Sequence, residues 1–342
     1  MAEWSLPFAR ATARLYGGVA SARRQWRQQA PQRLSRPVIS VGNLAVGGRN
    51  KTPVVASLAR LLHGWGERPS ILSRGYRRQR PTDDVVVVRD HERLRAGLDQ
   101  SGDEPYMLAR ELPGCCVLVH TQRYAAGLVA EHELDCTIHI LDDGFQHVQL
   151  ARDVNLVLLT LGDVVEGEVL PAGRLREPLT ALAHADAVLA VDESASRMSM
   201  ALGRVADRPV FEVHRHLGPP RGLAGVADFS RIADEPVLLV TAIASPQRVA
   251  DDLTAAGWHV VDHLTYRDHH PFTATDIAAM EARARAAGAR AIVTTAKDAV
   301  KLDAWLPMAM PVAVVPLEVM IEPADAFHAW LRDRLSLPQE GA

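Results

Sequence analysis

Lys51-Thr52 ends a glycine-bearing loop that follows the apolar run Val38–Val41 and precedes a helical pattern through Val55, Leu58, Leu61 and Leu62. Strand, Gly-rich loop, Lys-Thr and helix, in that order, suit a phosphate cradle. Backbone N–H groups of the loop and the helix N-terminus point at the anion, the lysine neutralises the outer phosphates, and the threonine hydroxyl can hold Mg²⁺. Gly47, Gly48, Arg49, Asn50, Lys51 and Thr52 are therefore the candidate nucleotide-binding residues. The spacing is nearer Gly-Gly-x-Gly-Lys-Thr than G-x-x-x-x-G-K-[ST], with Asn50 where glycine is expected before the lysine. Asparagine tolerates φ > 0 better than most residues, so the loop geometry can survive. A plain strand–turn–helix corner is the alternative. The chain has 3 lysines against 35 arginines, so a lysine at this junction is informative.

Four further groups could do chemistry. The apolar strand Cys136–Leu141 ends in Asp142-Asp143-Gly144, an arrangement that sets carboxylates beside a cation held by Thr52; an Asp-Asp-Gly turn is the alternative. Asp103 and Glu104 open a helix, where the helix dipole favours acids and capping is the simplest role. Arg174, Arg176 and Glu177 lie in a proline-bounded loop, 169–178, able to clamp phosphoryl oxygens or to be a polar turn. Asp268-His269-His270 offers imidazoles for proton transfer, and no Cys/His cluster in the sequence completes a zinc site with them.

The elements that must position these groups alternate apolar runs with helical patterns as far as about residue 210. That implies a doubly wound parallel sheet, α/β and P-loop NTPase-like, with the site at the strand C-termini. A connector at Leu217–Gly222 leads to a second, smaller α/β unit. The expected organisation is an N-terminal helix in 1–36, a P-loop core in 37–220 and a smaller domain in 221–342, whose last strand and helix can pack back on the core. At about 100° per residue, Trp4, Phe8, Ala11, Leu15, Val19, Ala22 and Trp26 share a sector of roughly 80°, with Arg10, Arg14, Arg23, Arg24 and Arg27 on the other side. An aromatic stripe opposite arginines describes an amphipathic helix lying on an anionic membrane surface; a helix docked on its own domain is the alternative. Beyond residue 36 the chain holds 31 basic and 40 acidic residues, which argues against nucleic-acid binding. Cys115, Cys116 and Cys136 read as buried thiols of a reducing compartment. No apolar run approaches the 18 residues of a membrane span.

Taken together these stretches resemble the tetraacyldisaccharide 4'-kinase family. The matching segments, in order, are Ser40-Val-Gly-Asn43 with Gly47-Gly48 and Lys51-Thr-Pro53, Leu72–Tyr76, Gly102–Pro105, Leu141–His147, Pro171–Pro178, Tyr266–Phe272 and Thr294–Asp298. The resemblance implies a peripheral kinase at the cytoplasmic face of the bacterial inner membrane. It would transfer the ATP γ-phosphate, with Mg²⁺, to the 4'-hydroxyl of a lipid, tetraacyldisaccharide 1-phosphate, with no obligatory protein partner. It further implies Lys51 on the phosphates, Thr52, Asp142 and Asp143 at the metal, Asp103 as base paired with His269, and Arg176 and Glu177 near the transferring phosphoryl. Asn50 departs from the family pattern, as does Ala296, which stands where an acid is usual. Two rivals share the loop: a ligase of the dethiobiotin-synthetase type, and a nucleotide-regulated membrane switch that would need neither Asp103 nor His269.

Overall fold

The computed structural model describes residues 5–47, 50–203, 205, 207–223, 229 and 232–338; for residues 5–8 and Arg27 it describes the backbone alone. Gly48, Arg49 and Trp4, and the side chain of Phe8, therefore lie outside the described residues.

The strands are β1 (Val38–Asn43), β2 (Pro69–Ser73), β3 (Val86–Arg89), β4 (Cys116–Val119), β5 (Ile138–Asp142), β6 (Val154–Leu159) and β7 (Ala187–Val191). After them come β8 (Val210–Leu217), β9 (Arg221–Gly222), β10 (Val237–Thr241), β11 (Val260–Thr265), β12 (Ala291–Thr295), β13 (Val312–Val315) and β14 (Leu317–Glu322). Two sheets result: a nine-stranded one in the order β14-β8-β7-β6-β1-β5-β2-β4-β3, and a five-stranded one in the order β11-β10-β12-β13-β9. In the first, only the edge strands β14 and β3 run antiparallel to their neighbours. Its central strands β1, β4, β5 and β6 are apolar runs buried along their length, as strands covered on both faces must be.

β1 lies between β5 and β6, and the chain leaves it for β2 through helix α2 (Lys51–Gly64), the element numbered second after the N-terminal helix α1 (Ser5–Arg27). Strand order reverses here, so a crevice opens beyond the C-terminal ends of β1 and β5. Their register pairs Val41 with Asp142, which sets the acid at the foot of the glycine loop. Close packing maintains this corner. A Cβ on Gly42 would come within 2.5 Å of Phe145, and one on Gly144 within 2.6 Å of the Ser40 hydroxyl. Val54, Val55, Leu58, Ala59 and Leu62 bury the inner face of α2, worth about 1.5–3 kcal/mol for each larger side chain.

β14 carries the alternation of an edge strand. It pairs antiparallel with β8 over six residues, so the chain returns to the large sheet after completing the small one. Phe327, Leu331 and Leu335 of the last helix, Ala324–Leu335, join the core that contains Val41 and Leu58. The three cysteines are free and buried.

Helix α1 departs from its expected orientation in one respect. Its polar side is not uniformly solvated: Arg24 is buried beneath it, 6% exposed, beside Ala13 and Gly17. The Arg24 guanidinium holds the Glu177 carboxylate at 2.5 and 2.9 Å, donates to the Phe145 carbonyl at 2.9 Å and lies over the Phe145 ring. The apolar stripe faces outward instead, with Leu15 71%, Val19 60% and Trp26 71% exposed. Removing one member of a buried ion pair leaves the other charge uncompensated. Arg24→Met is therefore expected to destabilise the fold by roughly 3–5 kcal/mol, and Arg24→Met/Glu177→Met by clearly less. Denaturant unfolding of the two variants measures the difference.

Candidate active site

A cleft of about 1090 Å³ opens between the N-terminus of α2, the C-terminal ends of β1 and β5, helix α1 and the smaller sheet. Asn50 caps α2 in the left-handed region, φ 58° and ψ 25°, the conformation its residue type predicts there. Lys51 extends from the first turn and reaches Asn43 Oδ1 at 3.1 Å and Asp143 Oδ1 at 3.2 Å. The loop 169–178 lies against this corner. Val46 N–H donates to the Arg174 carbonyl, and Arg176 N–H to the Leu44 carbonyl. Arg176 thereby reaches Asp143 and Gln146, each at 3.2 Å.

Three carboxylates, Glu104, Asp142 and Asp143, gather in this cleft. Burial, with Glu104 and Asp143 nearby, pushes the Asp142 carboxyl up to about 7 against the pull of Lys51 and Arg123. Asp143 goes the other way: burial opposes its charge, but Lys51 and Arg176 hold its pKa below the usual carboxylate range. Burial and Arg74 lower Arg123 to about 10, so it remains a cation at neutral pH. Two buried amide nitrogens, Asn43 Nδ2 and Asn50 Nδ2, have no partner among the described residues. Unfilled N–H donors beside Lys51 fit phosphate oxygens. An oxygen-only donor set with one carboxyl at the edge of ionisation fits a hard divalent cation.

The second cluster lies where the two sheets meet. Gly102 takes φ +87°, a conformation closed to most side chains, and a Cβ there would stand 2.9 Å from the Tyr76 carbonyl. This turn starts the helix Asp103–Glu111. Asp103 Oδ2 lies 3.0 Å from His269 Nδ1 of the smaller unit. His269 itself sits at φ 64°, a strained value for a non-glycine residue, and its N–H donates to the Ala242 carbonyl. Burial alone would raise the Asp103 pKa; the His269 hydrogen bond and the Lys301 ammonium outweigh it, so the carboxyl titrates below its ordinary value. Ala242 is fixed in turn by Asp298, fully buried, which accepts its N–H at 2.9 Å and the Thr295 hydroxyl at 2.9 Å. The turn Thr294–Asp298 thus holds the backbone that presents His269. Lys297 bridges Glu104 and Asp268, each at 3.2 Å, and burial, which lowers its pKa, is outweighed by those two carboxylates. The chain's three lysines, 51, 297 and 301, all bear on this site.

The structure brings together Asn50, Lys51, Thr52, Asp142, Asp143 and Arg176, and separately Asp103 with His269. Glu177, expected beside Arg176 in the chemistry, lines the same cleft and pairs its carboxylate with Arg24 of α1. Sequence reasoning gave Glu104 only a capping role, left Arg123 unassigned and gave Lys297 no role. The signal for Lys297 was compositional, since a lysine is rare in this chain. A Cys/His cluster invisible in the sequence does assemble outside the cleft: His91, Cys116 and Cys136. Both His91 ring nitrogens face carbonyls, Gly114 at 3.0 Å and Leu134 at 2.8 Å. Burial opposes the ring's charge, yet those hydrogen bonds outweigh it and raise the His91 pKa.

The family model described as tetraacyldisaccharide-1-P 4'-kinase matches residues 6–336. The chain is 38% identical over 305 residues to a protein of Geobacter sulfurreducens named tetraacyldisaccharide 4'-kinase, covering 85% of this chain and 82% of that one. It is 36% identical over 341 residues to one of the same name from Methylobacterium nodulans, covering 97% and 94%. Among solved structures, LpxK of Aquifex aeolicus in complex with ATP superposes with a TM-score of 0.78 at 29% identity, covering 98% of this chain and all of that one.

Proposed function

The chain belongs to the tetraacyldisaccharide-1-phosphate 4'-kinase family, and from that premise we infer that it is an ATP-dependent kinase of lipid A biosynthesis. It moves the γ-phosphate of ATP to the 4'-hydroxyl of tetraacyldisaccharide 1-phosphate, forming lipid IVA. The observation that carries the reading is the Asp103–His269 contact at 3.0 Å, made between the two units, with His269 lining the cleft that also holds Lys51 and Asp143. The large sheet serves as a P-loop core, residues 37–220, and the small sheet belongs to a second lobe, 221–342, with β14 and the last helix seated on the core. A sugar hydroxyl needs a proton acceptor as its oxygen attacks, and an ionised aspartate oriented by a histidine supplies one. Placing the two partners on different units makes their approach a condition for reaction.

Gly47, Gly48, Arg49, Asn50 and Lys51 cradle the triphosphate, the lysine as a point charge on the outer phosphates. Thr52, Asp142 and Asp143, joined by Glu104, are the residues that would hold Mg²⁺. When bound, that ion supplies charge neutralisation on the β- and γ-phosphate oxygens. Arg176, aimed by Asp143 and Gln146, takes up charge on the transferring group. Glu177 acts through Arg24, pinning α1 beside the loop that carries Arg176.

The outward stripe of α1 supports peripheral attachment to the cytoplasmic face of the inner membrane, where the lipid acceptor lies. No helix among the described residues is long and apolar enough to cross a membrane. Leu15→Glu/Val19→Glu/Trp26→Glu is expected to reduce binding to phosphatidylglycerol-containing vesicles at least tenfold, read by co-sedimentation, while leaving the fold intact. The activity itself is tested by transfer of labelled γ-phosphate to tetraacyldisaccharide 1-phosphate in mixed micelles. Labelled lipid is the expected result; bound ATP with no labelled lipid would overturn the reading.

A further inference from the structure

Lys297 stands at the N-terminus of the helix Ala296–Leu302, directly after β12. Its ammonium has three neighbours: Glu104 Oε1 at 3.2 Å, Asp268 Oδ1 at 3.2 Å and His269 Nε2 at 3.3 Å. Its side chain is 17% exposed. An ammonium carries three N–H donors and no lone pair. It can therefore satisfy all three neighbours at once, but only if His269 Nε2 is the acceptor. The proton of a neutral ring must then reside on Nδ1, the atom 3.0 Å from Asp103 Oδ2.

The other two states of the ring fit worse. The opposite tautomer would aim Nε2–H at the ammonium and set the Nδ1 lone pair against the Asp103 carboxylate. The imidazolium would put a second cation 3.3 Å from the first. Asp268 Oδ2, 3.7 Å from Nε2, would favour a proton there, but the lysine is nearer and binds Asp268 itself.

We propose that Lys297 is a positioning residue that selects the Nδ1–H tautomer of neutral His269, so that the ring donates to Asp103. The proposal rests on the reading of Asp103 as the base. The donated bond fixes one carboxylate oxygen and leaves the other free to take the proton of the sugar hydroxyl. Glu104, held by the same ammonium, is the next residue after Asp103 on the core side, whereas Lys297, Asp268 and His269 all come from the smaller unit. The contact that sets the tautomer thus lies within the smaller unit, and the bond from the same ammonium to Glu104 ties it to the core. Lys301, whose Nζ lies 3.9 Å from the same Asp103 oxygen, adds charge but touches neither ring nitrogen among the described contacts.

The test uses full-length protein with ¹⁵N-labelled histidine, the His269 signals assigned by their loss in His269→Asn. In the wild type the His269 Nδ1 signal is expected to be that of a protonated nitrogen and Nε2 that of a bare one. Lys297→Met removes the donor and should shift the ring toward Nε2 protonation, with kcat about 10–100-fold lower and KM for ATP little changed. Lys297→Gln keeps an N–H donor without the charge and should retain the wild-type pattern. A protonated Nε2 in the neutral ring of the wild type would overturn the proposal even if Lys297→Met fails to fold. So would a wild-type spectrum in folded Lys297→Met. These spectra require no turnover. Full transfer activity in Asp103→Asn would instead sink the assignment of the base.

Discussion

Asp103→Asn is expected to lower kcat for lipid phosphorylation by about 10²–10⁴-fold while ATP still binds. The substitution keeps size and an oxygen to accept from His269 Nδ1, so the 3.0 Å contact survives. What it removes is the capacity to hold a proton. Because the His269 hydrogen bond and the Lys301 ammonium hold the Asp103 pKa below its ordinary value, the wild-type carboxyl is ionised throughout the neutral range. The sign follows from linkage. A carboxyl whose folded pKa is depressed stabilises the fold above its unfolded value and loses that contribution only as pH falls through the folded one. Protonation of Asp103 therefore weakens the junction between the sheets below about pH 4, where the unfolded carboxyl also titrates. Single-turnover transfer with saturating ATP, compared with nucleotide affinity of the same variant, separates lost chemistry from lost binding. Unchanged single-turnover rates would remove Asp103 from the reaction.

Asp142→Asn should produce the opposite pairing of effects, a protein that is more stable and does not work. The buried carboxyl is pushed up to about 7, chiefly by burial and then by Glu104 and Asp143. Folding therefore works against its charge. The penalty is absent below about pH 4, grows as pH rises, and is complete above 7. At pH 8 the neutral amide should stabilise the nucleotide-free protein by roughly 2–4 kcal/mol, and at pH 4 by almost nothing. Transfer should fall by about 10²-fold or more, since a carboxylate is lost from the set that would hold Mg²⁺. Denaturant unfolding at the two pH values, with no Mg²⁺ added, reads the first effect. A variant no more stable than wild type at pH 8 would mean that the Asp142 charge is already compensated.

The two halves of the site were unequally legible in the sequence. The nucleotide side is local. An apolar run, a glycine loop and Lys51-Thr52 declare a strand, a turn and a helix within 20 residues, and Asn50 takes the positive φ that its type allows. Asp142 was readable for the same reason, as the acid ending an apolar strand. The acceptor side is not local. Asp103 and His269 are separated by 166 residues, and nothing in their own spacing pairs them. Their partnership entered only through the ordered set of motifs. Arg24 shows the limit of periodicity: it falls among arginines on the polar face of α1, yet it is buried because Glu177, 153 residues away, is its partner. An alternating strand at a sheet edge, such as β14, needs a mate, and its mate β8 lies about a hundred residues earlier, so nothing local places it.

Lys51 and Lys297 line the cleft and Lys301 lies beside it, 3.9 Å from Asp103, which has a consequence for the chemistry of the folded surface. Elsewhere the chain carries its positive charge on arginine, whose guanidinium does not acylate readily. Apart from the N-terminal α-amine, every primary amine of this protein therefore lies in or beside the cleft. The side chains of Lys51, Lys297 and Lys301 are 11%, 17% and 5% exposed, and each is paired with a carboxylate. Amine-selective reagents thus meet an almost inert exterior, and any acylated lysine reports on the cleft or its immediate surroundings rather than on the surface at large.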